Sequence, residues 1–269
     1  MPASISNPHL TTASSYSGAG SLRSSSIRYP APFTPAPRLR ANEVHIWTLR
    51  DCPVDISEYT ALLSHEELNR ASRFRFTHLF DRFAADHGRL RLLLAAYLET
   101  SPREILFAEN SHGKPRLQEP ACRLRFNMSH TDGLTMVALC LDAEVGIDVE
   151  AVRDIEDRES IAAMHFSQPE NAALEAEPEH EKTAAFFRCW TRKEAFIKAN
   201  GAGLSIPLDT FAVTLSSREQ AALLYCTWDA RESSRWNLIH LDPAPGYIGA
   251  LAIEGRGWAT SHFGWPQAA

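Results

Sequence analysis

Two acidic residues in the middle of the chain have the spacing of a metal site. Asp148 and Glu150 lie two positions apart in a valine- and isoleucine-rich run that predicts a β-strand over residues 145–149. Alternate residues of a strand face the same side, so both carboxylates point the same way. They repel each other unless a cation lies between them or one is protonated. Oxygen ligands without histidine or cysteine favour magnesium, with manganese as the alternative.

An acid–lysine pair lies on a helix predicted over residues 179–200. Glu194 and Lys198 are four positions apart, so their side chains are neighbours on one helix face. Taken alone, such a pair is typical of a surface ion pair worth about 0.5 kcal/mol. Gly201 stands where a left-handed C-terminal cap belongs. The apolar stripe expected to bury this helix comprises Phe186, Trp190 and Ile197.

Basic residues are concentrated between residues 66 and 91 of an otherwise acidic chain. This cluster either binds an anionic ligand such as phosphate or forms a solvated helix surface, and the sequence favours neither. Its members are Arg70, Arg73, Arg75, Arg82, Arg89 and Arg91.

Two further candidates lie in predicted turns. Lys114 stands in a Gly-Lys-Pro turn, where the following proline keeps it extended and able to project into a cleft. His130 follows Ser129 in a polar turn predicted over residues 128–133. This histidine is either structural or a donor to a phosphate.

Composition limits the function classes. The chain has 269 residues, 44% of them hydrophobic, and a net charge of −6, which argues against a general nucleic-acid binder. No run of eighteen apolar residues predicts a membrane span. The five cysteines form no metal-binding cluster, so we expect free thiols in a reducing compartment. We expect a cytoplasmic protein.

The first forty residues differ from the rest of the chain. They are rich in serine and proline, and Glu43 is the first acidic residue. We expect residues 1–40 to be a disordered tail, because such a segment buries too little apolar surface to offset its chain entropy. Organelle targeting is the less favoured interpretation of its basic, acid-free composition.

Hydrophobic patterning predicts the remaining elements. Helices are expected over 55–73 and 81–99, and strands over 43–49, 124–127, 134–141, 210–215, 223–228, 236–241 and 247–253. The three strands between residues 124 and 149 would form a meander of neighbours.

Four motifs occur in order along the chain. They are Gly-Lys-Pro at 113–115, Phe-Asn-Met-Ser-His at 126–130, Gly-Ile-Asp-Val-Glu at 146–150, and Trp-Thr-Arg-Lys-Glu-Ala-Phe-Ile-Lys at 190–198. Together they resemble the 4′-phosphopantetheinyl transferases, specifically the larger monomeric type, over roughly residues 43 to 255.

The resemblance implies an α+β fold of two similar halves related by pseudo-two-fold symmetry, with the active site in the cleft between them. The halves would span residues 41–150 and 151–255, and residues 256–269 would be a C-terminal tail. The implied protein is a monomer.

The resemblance also implies the reaction. The phosphopantetheine arm of coenzyme A would pass to a serine of an apo acyl or peptidyl carrier protein, releasing 3′,5′-ADP. Asp148, Glu150 and Glu194 match the three acids that bind magnesium in the family. Glu194 also matches the base that deprotonates the carrier serine, and Lys198 matches a phosphate contact.

Coenzyme A binding is implied for a further set of residues. Lys114, Ser129 and His130 match positions that hold the coenzyme, and His130 would lie near its 3′-phosphate. Arg70 matches a basic residue with the same role, whereas Arg73, Arg75 and Arg82 align less clearly. Lys193 would be either a solvent-facing lysine or a coenzyme contact.

The carrier partner and two alternative functions remain open. Met164 and Phe166 could contact an apolar carrier surface, although core packing is the simpler explanation. A magnesium-dependent nuclease is the first alternative, because two acids with a later acid and lysine resemble some nuclease sites. A non-catalytic carrier-binding module is the second.

Overall fold

The computed structural model describes residues 36–51 and 55–265, apart from the side chain of residue 204. Most of the serine- and proline-rich tail predicted over residues 1–40 therefore lies outside the described residues. The strands are β1 Glu43–Arg50, β2 Leu106–Glu109, β3 Pro115–Glu119, β4 Leu124–Thr131, β5 Leu134–Leu141, β6 Val145–Ala151, β7 Phe211–Val213, β8 Leu223–Cys226, β9 Trp236–Leu241, β10 Tyr247–Glu254 and β11 Ala259–Gly264. The helices are α1 Ile56–Thr60, α2 His65–Ala71, α3 Thr77–Leu98, α4 Arg158–His165, α5 Gln168–Ala176, α6 Glu179–Asn200 and α7 Glu232–Arg235.

A four-stranded sheet has the order β11-β1-β5-β4. The pairs β1–β5 and β5–β4 are antiparallel, whereas β11 lies parallel to β1. This last strand corrects the prediction of a C-terminal tail after residue 255. The strand is held in place by packing as well as by its ladder, because Phe263 stacks on Trp47 with ring centroids 4.8 Å apart.

A three-stranded antiparallel sheet has the order β6-β10-β9. The predicted meander is therefore only partly correct. Strands β4 and β5 pair with each other, but β6 leaves that sheet and pairs with β10, about a hundred residues later in the chain. Strands β2–β3 and β7–β8 form two separate hairpins.

The two sheets pack face to face, with a long helix on each outer side. On β1, Val44 and Ile46 join the core between the sheets, which also contains Ile147 of β6. The alternate residues Trp47 and Leu49 pack with α3. Helix α6 contacts β6 and β10 on the far side of the second sheet. These mixed layers confirm the α+β fold class, and pseudo-two-fold symmetry stays a prediction.

Local sequence signals account for the start of α2 and the end of α6. The helix predicted over 55–73 is two helices, because Ser64 begins α2 with a capping box. Its Oγ accepts from Glu67 N at 3.2 Å, and Glu67 Oε2 accepts from Ser64 N at 2.8 Å. Helix α6 has the predicted bounds, and Gly201 ends it with a φ of 78°.

Two expectations from composition can be compared with the described residues. The thiols of Cys122, Cys140, Cys189 and Cys226 are free as predicted, and Cys52 lies outside the described residues. Across residues 36–51 and 55–265, every helix is too short or too polar to cross a membrane.

Candidate active site

Strand β6 lies directly against helix α6 because residue 146 is glycine. A Cβ atom on Gly146 would lie 2.2 Å from Ala195 O and 2.3 Å from Ala199 N. No side chain fits there, so the strand and helix backbones are in contact. This contact brings the acids of β6 beside the polar face of α6.

The alternation of β6 separates its core residues from its acids, as the sequence predicts. Val145, Ile147 and Val149 are buried in the core between the two sheets. Asp148 and Glu150 share the opposite face with Gly146, which is the face covered by α6.

Asp148 is the point where three elements meet. Its side chain is 4% exposed. Its Oδ1 accepts hydrogen bonds from Ser129 Oγ of β4 at 2.8 Å and from Lys198 Nζ of α6 at 2.6 Å. Lys198 Nζ also lies 2.9 Å from Ser129 Oγ. The second oxygen, Oδ2, is buried, and no described residue donates to it.

Side chains of β4 bind the edge of β6 that faces them. Asn127 Oδ1 accepts from Ile147 N at 2.8 Å, and Thr131 Oγ1 accepts from Ala151 N at 3.2 Å. With Ser129 between them, these side chains take the place of a paired strand along that edge. They also hold Asp148 in position relative to β4.

This arrangement corrects the polar turn predicted over residues 128–133. Strand β4 continues to Thr131, because its polar side chains face β6 rather than solvent. Asn127 and Thr131 are functional neighbours that sequence reasoning missed. The signal was present, since polar residues at 127, 129 and 131 alternate with the period of a strand.

The two glutamates near Asp148 are electrostatically strained. Burial and then the charge of Asp148 raise the pKa of Glu194, and Lys198 only partly opposes this. The same two causes raise the pKa of Glu150, whose Oε2 lies 3.4 Å from Thr131 Oγ1. The three carboxylates therefore repel one another, as expected of acids gathered without a cation.

The three acids are candidate ligands for a divalent cation. Among the described residues, no group of three or more acid, histidine or cysteine side chains is already arranged to hold a metal ion. The donor chemistry nevertheless suits magnesium, because Asp148, Glu150 and Glu194 offer only oxygens. The unpartnered Asp148 Oδ2 is a buried acceptor that a cation would satisfy.

His130 lies among charged side chains at the end of β4. Burial lowers its pKa, and the positive charges of Arg82 and Lys198 lower it further, whereas Asp86 opposes them. Arg82 Nη1 binds Asp132 Oδ1 at 2.9 Å, and its Nη2 binds Thr131 O. Arg82 therefore braces the turn after β4 beside His130.

Arg70 reaches this region through an aromatic stack. Its guanidinium lies 5.7 Å from the ring centroid of Phe83, which in turn stacks on His87 at 3.9 Å. The exposed Arg75 lies over its neighbour Phe76 instead, and Arg73 is exposed.

Two arginines of the basic cluster do not belong to a solvated surface. Arg91 is buried, and its Nε donates to Glu67 Oε2 at 2.7 Å. Arg89 is also buried, with its guanidinium 5.7 Å from the ring of Tyr59. Their role is to join α3 to the preceding segment.

Lys114 is held at the C-terminal end of α6. Its Nζ donates to Glu144 Oε2 at 2.5 Å and to Ala199 O at 2.9 Å. The neighbouring Asn110 donates to Gly201 O at 2.7 Å. Lys114 therefore binds α6 rather than projecting freely from its turn, and its contact with a coenzyme stays a prediction.

Lys193 contradicts both expectations stated for it. It is fully buried, and its Nζ lies 2.7 Å from Glu170 Oε2. It also donates to Leu208 O and Phe211 O at 2.8 and 2.7 Å. Lys193 precedes Glu194 in the sequence, but the turn of the helix directs it to another face. That face packs into the core that contains Phe211.

The aromatic stripe of α6 packs as predicted. Phe186 and Ile197 are buried, and Trp190 is half-buried against the same core. The Trp190 ring stacks on Phe186 at 6.0 Å and meets His165 edge-on at 5.9 Å. This stripe fixes the rotation of α6, and so the direction in which Glu194 and Lys198 point.

Comparison with known proteins agrees with this geometry. A model of the 4′-phosphopantetheinyl transferase superfamily matches residues 144–252, and a model of the N-terminal part of 4′-phosphopantetheinyl transferases matches residues 48–141. The chain belongs to the 4′-phosphopantetheinyl transferase superfamily. Family membership confirms the resemblance stated above and the expected enzyme class, and it is inconsistent with the nuclease alternative.

Relatives of this family align over most of their length. The chain is 35% identical to 4′-phosphopantetheinyl transferase HetI of Nostoc sp., over 84% of this chain and 94% of that protein. It is 33% identical to 4′-phosphopantetheinyl transferase psf-1 of Bacillus pumilus, over 62% of this chain and 70% of that protein. It is 29% identical to 4′-phosphopantetheinyl transferase Sfp of Bacillus subtilis, over 61% of this chain and 72% of that protein.

Proposed function

We propose that the protein transfers the 4′-phosphopantetheine arm of coenzyme A to a serine of an apo acyl or peptidyl carrier protein. The observation that carries the proposal is the meeting of β4, β6 and α6 at Asp148 Oδ1. There a lysine and a hydroxyl meet one buried acid, whose charge also acts on Glu150 and Glu194. Such a site can bind phosphate groups and accept a proton.

The reaction is a phosphoryl transfer. The serine Oγ of the carrier forms a bond to the phosphorus nearer the pantetheine, and the pyrophosphate bond to 3′,5′-ADP breaks. Glu194 accepts the serine proton, directly or through a water molecule. A carboxylate beside the reacting hydroxyl can act as such a proton acceptor.

Magnesium is the proposed cofactor, with manganese as the alternative. Asp148, Glu150 and Glu194 would hold it, since all three present oxygen ligands. The ion would neutralise pyrophosphate oxygens and so favour departure of 3′,5′-ADP. The buried, unpartnered Oδ2 of Asp148 supports this assignment.

Coenzyme A would lie along the basic groups beside the acids. Lys198 carries the charge nearest Asp148 and would contact the pyrophosphate. His130 and Arg70 would bind the 3′-phosphate, and Ser129 would help to place the coenzyme through its bond to Lys198. Lys114 is assigned to the coenzyme by family resemblance alone.

The carrier would dock on an apolar surface near α4. Met164 is 73% exposed and is available to a partner, whereas Phe166 is 3% exposed and belongs to the core. Of these two residues, Met164 is therefore the better candidate for contact with the carrier. The carrier's pathway stays open among fatty-acid, polyketide and peptide synthesis, and the monomeric and cytoplasmic expectations stay predictions.

Intact mass spectrometry tests the proposal. The protein is incubated with coenzyme A, magnesium and a panel of apo carriers, and each carrier is then weighed. We expect a gain of one phosphopantetheine that EDTA abolishes and added magnesium restores. Absence of the gain on every carrier would overturn the transferase assignment, and carrier binding without turnover would favour the non-catalytic module.

A further inference from the structure

A cleft of about 680 Å³ opens beside α6, away from the acids. It is lined by α6, by β9 and by the segment before β8. Arg188 and Arg192 face it from α6, four positions apart on one stripe. At 3.6 residues per turn, this stripe lies roughly a third of a turn from that of Glu194 and Lys198. The cleft is therefore separate from the candidate active site.

Both arginines are buried at the base of the cleft. Arg188 is 6% exposed, and its Nε donates to Leu215 O at 2.7 Å, while its Nη2 lies 3.3 Å from Glu181 Oε2. Arg188 thus has a carboxylate partner at one end.

Arg192 has no such partner. It is 1% exposed, and its Nη1 donates to Thr214 O at 2.6 Å and to Thr214 Oγ1 at 3.0 Å. Its Nε is buried without an acceptor, and no described carboxylate forms an ion pair with its guanidinium. The exposed Glu219 acts on this charge only from farther away, after the larger effects of burial and of Arg188. A buried charge without a close counter-charge is unfavourable unless something neutralises it.

A second unpartnered polar atom lies in the same cleft. His240 of β9 lines it, and the ring Nδ1 is buried without a partner in the described part of the chain. The other ring nitrogen, Nε2, lies 3.1 Å from Asp242 Oδ1. Buried polar atoms normally have partners, so two orphans at one cleft indicate a missing ligand.

The charge of the cleft changes from base to rim. The buried arginines lie at the base, whereas the acids Glu219 and Asp242 are exposed at the rim, where water screens them. Arg256 adds a third guanidinium to the lining. An anion small enough to pass the rim would therefore be attracted to the base.

We propose that this cleft binds a small oxyanion, a phosphate or carboxylate group, on the guanidinium of Arg192. The planar fork of an arginine matches either group, and Arg188 and His240 would border the bound anion. This site is independent of the proposed transfer reaction.

Anion binding is tested with the full-length protein at constant ionic strength. Inorganic phosphate and acetate are titrated separately against chloride, and the melting temperature and heat of binding are measured. We expect saturable binding of at least one of them, and the one that binds identifies the ligand class. Binding of neither phosphate nor acetate would overturn the proposal.

Rim variants locate the anion without disturbing the core. Glu219→Gln removes a rim charge and should tighten binding about threefold to tenfold, whereas Gln220→Glu should weaken it similarly. Both side chains are exposed, so both variants should fold. Arg218→Gln is the control, because this exposed arginine does not line the cleft.

Phosphate could also bind at Lys198, and a further variant separates the two sites. If Lys198→Met abolishes binding while Glu219→Gln and Gln220→Glu leave it unchanged, the anion lies in the active site and the proposal is wrong. We expect instead that Lys198→Met leaves binding unchanged, whereas Glu219→Gln and Gln220→Glu change it. Arg192→Gln should abolish binding, and this variant is used if it still melts cooperatively. Carrier modification is assayed separately, so the two proposals can fail independently.

Discussion

Lys198 Nζ lies 2.6 Å from Asp148 Oδ1, and this contact joins helix α6 to strand β6 across fifty positions of sequence. Ser129 Oγ is bonded to both groups. The lysine therefore neutralises a buried carboxylate on one oxygen and leaves the other oxygen available. A metal could bind there without displacing every partner that Asp148 has.

Replacing Asp148 should abolish most transfer with little unfolding. Asp148→Asn keeps the shape but removes the charge that Lys198 and a cation require, so we expect a loss of about 100-fold or more in rate. The rate of carrier mass gain measures it, with circular dichroism to confirm folding. Asp142→Asn is the matched control, since Asp142 pairs with Arg123 at the surface. A rate within a factor of two of the parent would exclude Asp148 from the reaction.

Removing the β4 side chain that holds β6 should affect both stability and activity. Asn127→Ala leaves Ile147 N without its acceptor, which should cost about 1–3 kcal/mol of unfolding free energy. Activity should fall as well, because Asp148 lies on the loosened strand. Urea unfolding and carrier modification measure the two effects. The exposed Asn69→Ala should change neither, and an equal effect in both variants would contradict the interpretation.

Adding a side chain at position 146, between β6 and α6, should lower the stability of the fold. Gly146→Ala places a methyl group 2.2 Å from Ala195 O, so the strand and helix must separate. We expect a loss of about 3 kcal/mol and lower activity. Gly264→Ala is the control, since nothing lies within 4 Å of its added Cβ. The melting temperatures of the two variants are compared by thermal unfolding. Equal values would show that β6 and α6 are not in tight contact at position 146.

The buried lysine should matter for stability and not for coenzyme binding. Lys193→Met leaves Glu170 charged in the core and should cost about 3–5 kcal/mol. Lys182→Met removes a surface pair with Glu179 and should cost at most about 1 kcal/mol. The KM for coenzyme A should be unchanged in any Lys193→Met protein that folds. A raised KM with normal stability would reverse the assignment.

Stability should fall on mild acidification partly through His45. Burial lowers the pKa of His45, although Glu43 partly opposes this, so the fold favours the neutral ring. Below about pH 6.5 the unfolded chain binds a proton that the folded chain resists, so stability is full above that pH and is lost below it. His45→Gln should flatten the dependence of the melting temperature on pH between 7.5 and 5. An unchanged slope would assign the loss to other groups.

Local patterns in the sequence determined much of this protein. Helix α6 could be predicted to the residue, because its apolar stripe and Gly201 are local signals. The alternation of β6 likewise separated Asp148 and Glu150 from the core residues between them. Motif order was sufficient to identify the family, and with it the candidate acids.

Only the tertiary structure decided which partners these side chains meet. Lys193 and Lys198 lie on the same helix, yet one is buried with Glu170 and the other lies at Asp148. Strand β6 pairs with β10 rather than with its neighbour in sequence, and so exposes an edge that Asn127 and Thr131 bind. Periodicity reports which side of an element faces inward. It carries no information about what lies opposite, because that depends on packing between segments distant in the chain.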